Sequence, residues 1–92
     1  MSGSASPSPA EHRNTIIIKA YKYSGATSVK AGSTVIVRND DSVAHTVTAD
    51  KAGAWDVMVP GGASRTFTAP RSGTYPYHCL YHGNMHGTLR VR

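Results

Sequence analysis

The sequence predicts an all-β domain, a sandwich or barrel of short strands, on three observations. Short apolar or alternating segments recur between Gly-, Pro- and Asp-rich punctuation, at the spacing of such folds. The composition favours strands, with many Thr, Val, Tyr and Gly residues and few helix-forming stretches. No segment has a helical period, and no internal repeat is visible.

The elements follow in order. Residues 15–21 open on Ile16, Ile17 and Ile18 and read as a strand, and the Ala31-Gly32-Ser33 turn leads into a second strand at 34–38. Asn39-Asp40-Asp41-Ser42 turns the chain into a strand at 43–48. A loop around 51–53 precedes a short strand at 55–59, and Pro60-Gly61-Gly62 is a strong turn signal. Residues 63–69, 74–79 and 88–92 complete the set. Pro76 inside its run argues for an edge strand or a bulge.

At 92 residues the chain allows one domain, which buries only roughly 60% of its extended surface and would gain from a metal clip. Residues 1–13 read as a flexible Ser/Pro-rich tail and 14–92 as the domain. A tail of this kind fits a mature exported or tethered protein, so an extracytoplasmic or periplasmic location is expected. No stretch approaches the ~20 apolar residues of a membrane span. The net charge of +5 comes from dispersed basic residues and mainly affects encounter with acidic partners. No basic stripe is interleaved with stacking aromatics, which argues against nucleic acid as a partner. A single cysteine excludes an intramolecular disulfide and the paired-cysteine metal motifs.

The chemistry lies near the C-terminus, where Cys79, His82 and Met85 form a Cys-x2-His-x2-Met hook. A thiolate at a strand end, followed by a tight loop, lets an imidazole and a thioether curl back over one point. Two-residue alternation puts Val43, His45 and Val47 on one face, so His45 is expected to point inward. Alone, it would be read as a core histidine bonded to a backbone carbonyl. Beside the downstream hook it becomes the candidate fourth donor. Tyr75, Tyr77 and Cys79 alternate onto one face in the same way, and a buried tyrosine here fits a tyrosine corner.

Two imidazoles, one thiolate and a weak thioether suit copper, which accepts both soft sulfur and intermediate nitrogen donors. The set leaves no position for a substrate, which favours carrying electrons over catalysis. Zinc takes Cys and His but rarely Met. A Cys79–His82 nucleophilic pair is the other alternative, although no oxyanion-hole glycine run lies nearby. Of the remaining histidines, His12 lies in the tail, His78 faces away from Cys79, and His86 competes with Met85 for the axial place and ranks below it.

These residues resemble the cupredoxins, the small blue copper proteins, and within them the short-loop amicyanin-like branch. The resemblance runs over residues 15–92. It rests on Val29-Lys30-Ala31-Gly32, Asn39-Asp40-Asp41-Ser42-Val43-Ala44-His45-Thr46-Val47, the Pro60-Gly61-Gly62 turn, Gly73-Thr74-Tyr75-Pro76-Tyr77-His78-Cys79, and the closing Cys79-x2-His82-x2-Met85-His86-Gly87. It implies a Greek-key β-sandwich of about eight strands. It also implies a type 1 copper centre with His45, Cys79 and His82 equatorial and Met85 axial. The implied function is a monomeric single-electron carrier that is not an enzyme. Its redox partner protein docks near His82, on a surface of Leu80, Gly83, Asn84, Met58, Val59 and Pro60. The alternative function is a copper homeostasis protein that stores or delivers the metal. Two positions depart from the family pattern: Gly83 replaces a loop Pro, and Thr46 replaces an Asn that braces the ligand loop.

Overall fold

The computed structural model describes residues 14–92. The expected tail and His12 lie outside the described residues. Nine strands run in order: β1 (Thr15–Lys19), β2 (Lys22–Gly25), β3 (Ser28–Val29), β4 (Thr34–Asn39), β5 (His45–Ala49), β6 (Asp56–Val59), β7 (Ser64–Thr68), β8 (Gly73–His78) and β9 (His86–Val91). They form a four-stranded sheet, β2-β1-β4-β7, and a five-stranded sheet, β3-β9-β8-β5-β6. The all-β sandwich expected from the sequence is the fold observed.

Alternation builds the core. Ile16 and Ile18 of β1, Val35 and Val37 of β4, Val47 of β5, Tyr75 and Tyr77 of β8, and Leu89 and Val91 of β9 are all buried. Each fully buried aliphatic side chain of this size contributes about 1.5–3 kcal/mol of transfer free energy. Trp55 stacks on Phe67 of the other sheet at 4.6 Å and lies beside Tyr75 and Tyr77. The expected tyrosine corner is formed, with the Tyr75 hydroxyl donating to the Arg71 carbonyl at 2.7 Å.

Three local expectations are corrected. The first strand stops at Lys19, because Ala20 and Tyr21 take left-handed φ values of 53° and 61° and turn the chain back into β2. Neither residue type signals such a turn; its support comes from Asp41, whose carboxylate accepts both amides. Val43 lies before β5 rather than in it, and is 40% exposed, whereas His45 and Val47 are fully buried. Pro76 lies in an interior strand, not at an edge. Its carbonyl accepts the Asp50 amide, so its missing N–H falls beyond the β5–β8 ladder and breaks no pair.

That ladder is short. β5 and β8 pair only at Thr48–His78 and Ala49–Tyr77, while β8 pairs with β9 over its whole length. The strands then part, and His45 and Cys79 lie where they separate. Asn39, 1% exposed, secures the chain entering β5: its amide group donates to the carbonyls of Val43, Val59 and Pro60, and its oxygen accepts the Asp41 amide.

Candidate metal centre

Cys79 follows the last residue of β8 and continues the buried row of Tyr75 and Tyr77, at 2% exposure. Where a backbone carbonyl would continue the ladder to β5, the Thr46 amide donates instead to Cys79 Sγ at 3.3 Å. His45, fully buried, brings Nδ1 to 3.9 Å from the same sulfur. The two residues predicted from distant parts of the sequence to share a site do meet.

The segment after Cys79 closes on itself. The Met85 amide donates to the His82 carbonyl at 3.0 Å, and the Cys79 amide to the Met85 carbonyl at 3.3 Å. Met85 is 2% exposed, so its side chain turns inward as expected. His82 is half-buried, and its ring centroid lies 4.8 Å from that of His45. His86 is exposed, with Nε2 at 3.0 Å from the Gly83 carbonyl, and so turns away from the site. His78 pairs with Asp50 on the outer face. Among the described residues no three His, Cys, Asp or Glu side chains are drawn together closely enough to hold a metal ion, His45, Cys79 and His82 included. The contact formed between candidate donor atoms is that of His45 Nδ1 with Cys79 Sγ, with the His82 ring beside that of His45.

Thr46 holds this arrangement together. Its hydroxyl accepts the Leu80 amide at 2.8 Å, tying the loop after Cys79 to the residue after His45. The brace expected of an Asn is therefore supplied by a threonine. The Thr46 carbonyl in turn accepts the Tyr23 hydroxyl at 2.5 Å. Tyr23 packs edge-on against Tyr77 at 4.8 Å, and burial, then the proximity of Cys79 and Tyr77, pushes its phenol well above the ordinary range. Burial also pushes the Tyr77 phenol up, to about 12.

The electrostatics favour a thiolate. Burial pushes the Cys79 thiol up, but the Thr46 amide, the contact with His45, and the Tyr81 and His82 amides outweigh it and hold the thiol below its ordinary value. The remaining polar partner of His45 is Asp41, whose Oδ2 lies 2.8 Å from Nε2. The Tyr21 amide lowers the Asp41 pKa against desolvation, with the Ala20 amide and His45 adding to the effect. The donor set fits a borderline or soft ion. Imidazole and thiolate bonds of about 2.0 and 2.3 Å together slightly exceed the 3.9 Å gap, so a single ion fits between the two groups.

A cupredoxin-like domain model matches residues 1–91. The chain belongs to the cupredoxins. Among solved structures, this cupredoxin is 29% identical to a reduced Cu(I) form of a proline-to-glycine amicyanin variant at pH 4, with a TM-score of 0.70 over 85% of this chain and 80% of that one. It is 31% identical to an oxidised proline-to-glycine amicyanin variant, with a TM-score of 0.71 over the same shares, 85% and 80%. A Cu(I) form of a methionine-to-alanine amicyanin variant gives 28% identity and a TM-score of 0.73 over 88% and 83%. These place the cupredoxin in the amicyanin-like branch. No curated protein matches the chain.

The exposed surface beside the donors differs in part from the expected one. Leu80 and Met58 are 58% and 48% exposed, but Val59 is fully buried. Tyr81 and Tyr21, 55% and 46% exposed, were not anticipated. Tyr21 lies edge-on to both rings, its centroid 5.0 Å from His45 and 4.8 Å from His82. A cleft of about 380 Å³ lined by Lys51, Ala54, Arg71 and Tyr75 includes none of the four donors. No helix among the described residues is long and apolar enough to cross a membrane.

Proposed function

We propose that this cupredoxin carries single electrons through one copper ion held by His45, Cys79, His82 and Met85. The observation that carries the reading is the approach of His45 Nδ1 to Cys79 Sγ at 3.9 Å where β5 and β8 part. Copper bound there supplies a one-electron couple between its cuprous and cupric states. The protein's part is to keep the donors still and dry. Cys79, Met85 and His45 are buried, and the Thr46 hydroxyl fastens the loop that bears the other donors. A fixed donor set keeps the rearrangement between the two oxidation states small, which suits transfer rather than storage. A storage or delivery role would use the same donors, but the Thr46 brace and the closed 79–85 loop do not favour ready release.

Partner docking is assigned to the face around His82, the one donor with surface exposure, rimmed by Leu80, Tyr81 and Tyr21. Apolar exposure of this kind marks an interaction surface. The basic net charge steers the chain toward an acidic redox partner outside the cytoplasm.

Stoichiometric cupric ion added to the metal-free protein should give an intense thiolate-to-copper absorption band, and Cys79→Ser should abolish it. A colourless wild-type adduct overturns the reading. Met85→Leu should leave the band in place and raise the reduction potential, since a weak axial donor tunes the couple. Complete loss of binding in that variant would show that Met85 holds the metal rather than tuning it; voltammetry beside an optical titration reads both.

A further inference from the structure

The left-handed turn at Ala20–Tyr21 and the buried His45 converge on one side chain. Asp41 Oδ1 accepts the Ala20 amide at 2.7 Å, and Oδ2 accepts the Tyr21 amide at 3.0 Å while lying 2.8 Å from His45 Nε2. Asp41 is itself fixed, its amide donating to Asn39 Oδ1 at 2.9 Å and its carbonyl accepting the Gly62 amide at 3.0 Å. Its side chain is only 13% exposed. We infer that Asp41 is a positioning residue for the metal centre, holding His45 in its Nε2–H form through one carboxylate oxygen and Tyr21 against both histidine rings through the turn.

The chemistry follows from the inventory of atoms. An ionised carboxylate only accepts, so the nitrogen facing it must carry the proton. With Nε2 protonated, the Nδ1 lone pair is free on the side of Cys79, the orientation a metal donor needs. The competing tautomer would place N–H on Nδ1, facing the sulfur, and could not bind an ion. A carboxylate behind a ligating imidazole also raises its basicity, which favours the cupric state over the cuprous. The same carboxylate offsets a backbone cost: two consecutive non-glycine residues lie in the left-handed region, which L side chains disfavour, and both donate their amides to Asp41. The β1–β2 turn, outside the sequence motif, thus becomes part of the site. Its tyrosine ring forms the outer wall against which His45 and His82 rest.

The inference rests on the copper reading for its redox consequence but not for the tautomer, so the two are tested separately. In metal-free, nitrogen-15-labelled protein, long-range proton–nitrogen correlation should show His45 as the Nε2–H form. Asp41→Asn should keep that form, because an amide oxygen still accepts, whereas Asp41→Ala should let the Nδ1–H form gain population. In copper-loaded protein, Asp41→Ala should weaken cupric binding about 10- to 100-fold. Asp41→Asn should raise the potential, by ~59 mV for each tenfold selective loss of the cupric state. An unchanged His45 tautomer in Asp41→Ala overturns the assignment. Wild-type protein that takes up no copper would end the electron-carrier reading and leave the tautomer measurement to decide the role of Asp41.

Discussion

A Gly61→Ala chain should be less stable than the parent by about 3–5 kcal/mol, above the usual range for overpacking. A Cβ on Gly61 would lie 2.3 Å from the Ser42 carbonyl oxygen, 2.5 Å from its carbon and 3.0 Å from the Val43 nitrogen. These are main-chain atoms, and no rotamer change relieves them. They also belong to the segment that delivers His45, so the clash pries the 60–62 turn away from the entry to β5. Against a typical domain stability of 5–15 kcal/mol, such a loss leaves a marginal protein. Gly62→Ala is the control: its φ is 76°, but the space around it is open, so it should lose only about 1 kcal/mol from backbone conformation. Urea unfolding of the two variants separates steric from conformational cost, and equal midpoints would refute the packing argument.

Asn39→Ala should cost about 3 kcal/mol or more, lowering the melting temperature by about 12–24 °C. The buried amide donates to three carbonyls from two segments and accepts one N–H, so its removal strands several main-chain groups at once. Asn39→Asp is the sharper comparison. It has nearly the same shape, but a carboxylate would confront the carbonyls of Val43, Val59 and Pro60 with no hydrogen to offer. It should be at least as unstable as the alanine variant near neutral pH. A melting curve for Asn39→Asp matching the parent would show that shape, not donation, is what the position needs. Because Gly61 adjoins Pro60 in the same joint, the two losses should combine to less than their sum in the double variant.

The site was legible because its chemistry is compact in the chain. Three of the proposed donors lie within one short loop, and the fourth follows from the alternation that sends His45 inward. Alternation misled at Val43, where the loop delivering His45 has not yet become strand. The two missed strands leave little trace: β2 is mostly exposed and does not alternate between buried and exposed residues, and β3 is two residues long and held by parallel pairing with β9. Asp41 and Tyr21 were hidden for a different reason. Asn39-Asp40-Asp41-Ser42 has ordinary turn composition, and nothing local shows that one of its carboxylates reaches β1–β2 and a histidine. Thr46 departs from the pattern only because the pattern names a residue type, whereas the brace requires only an acceptor within reach of the Leu80 amide.

Parallel pairing of β3 with β9 joins Val29 to Val91, near opposite ends of the domain. Such topologies carry high contact order and close in milliseconds to seconds, because distant segments must be found before they reward the search. The histidine and the thiol come within reach of each other only once β5 has met β8, so the full donor set forms with the fold. During that interval the sole sulfhydryl of a newborn chain is open to oxidants and to the wrong metal. The rate at which the sandwich shuts therefore sets how long that thiol stays uncovered.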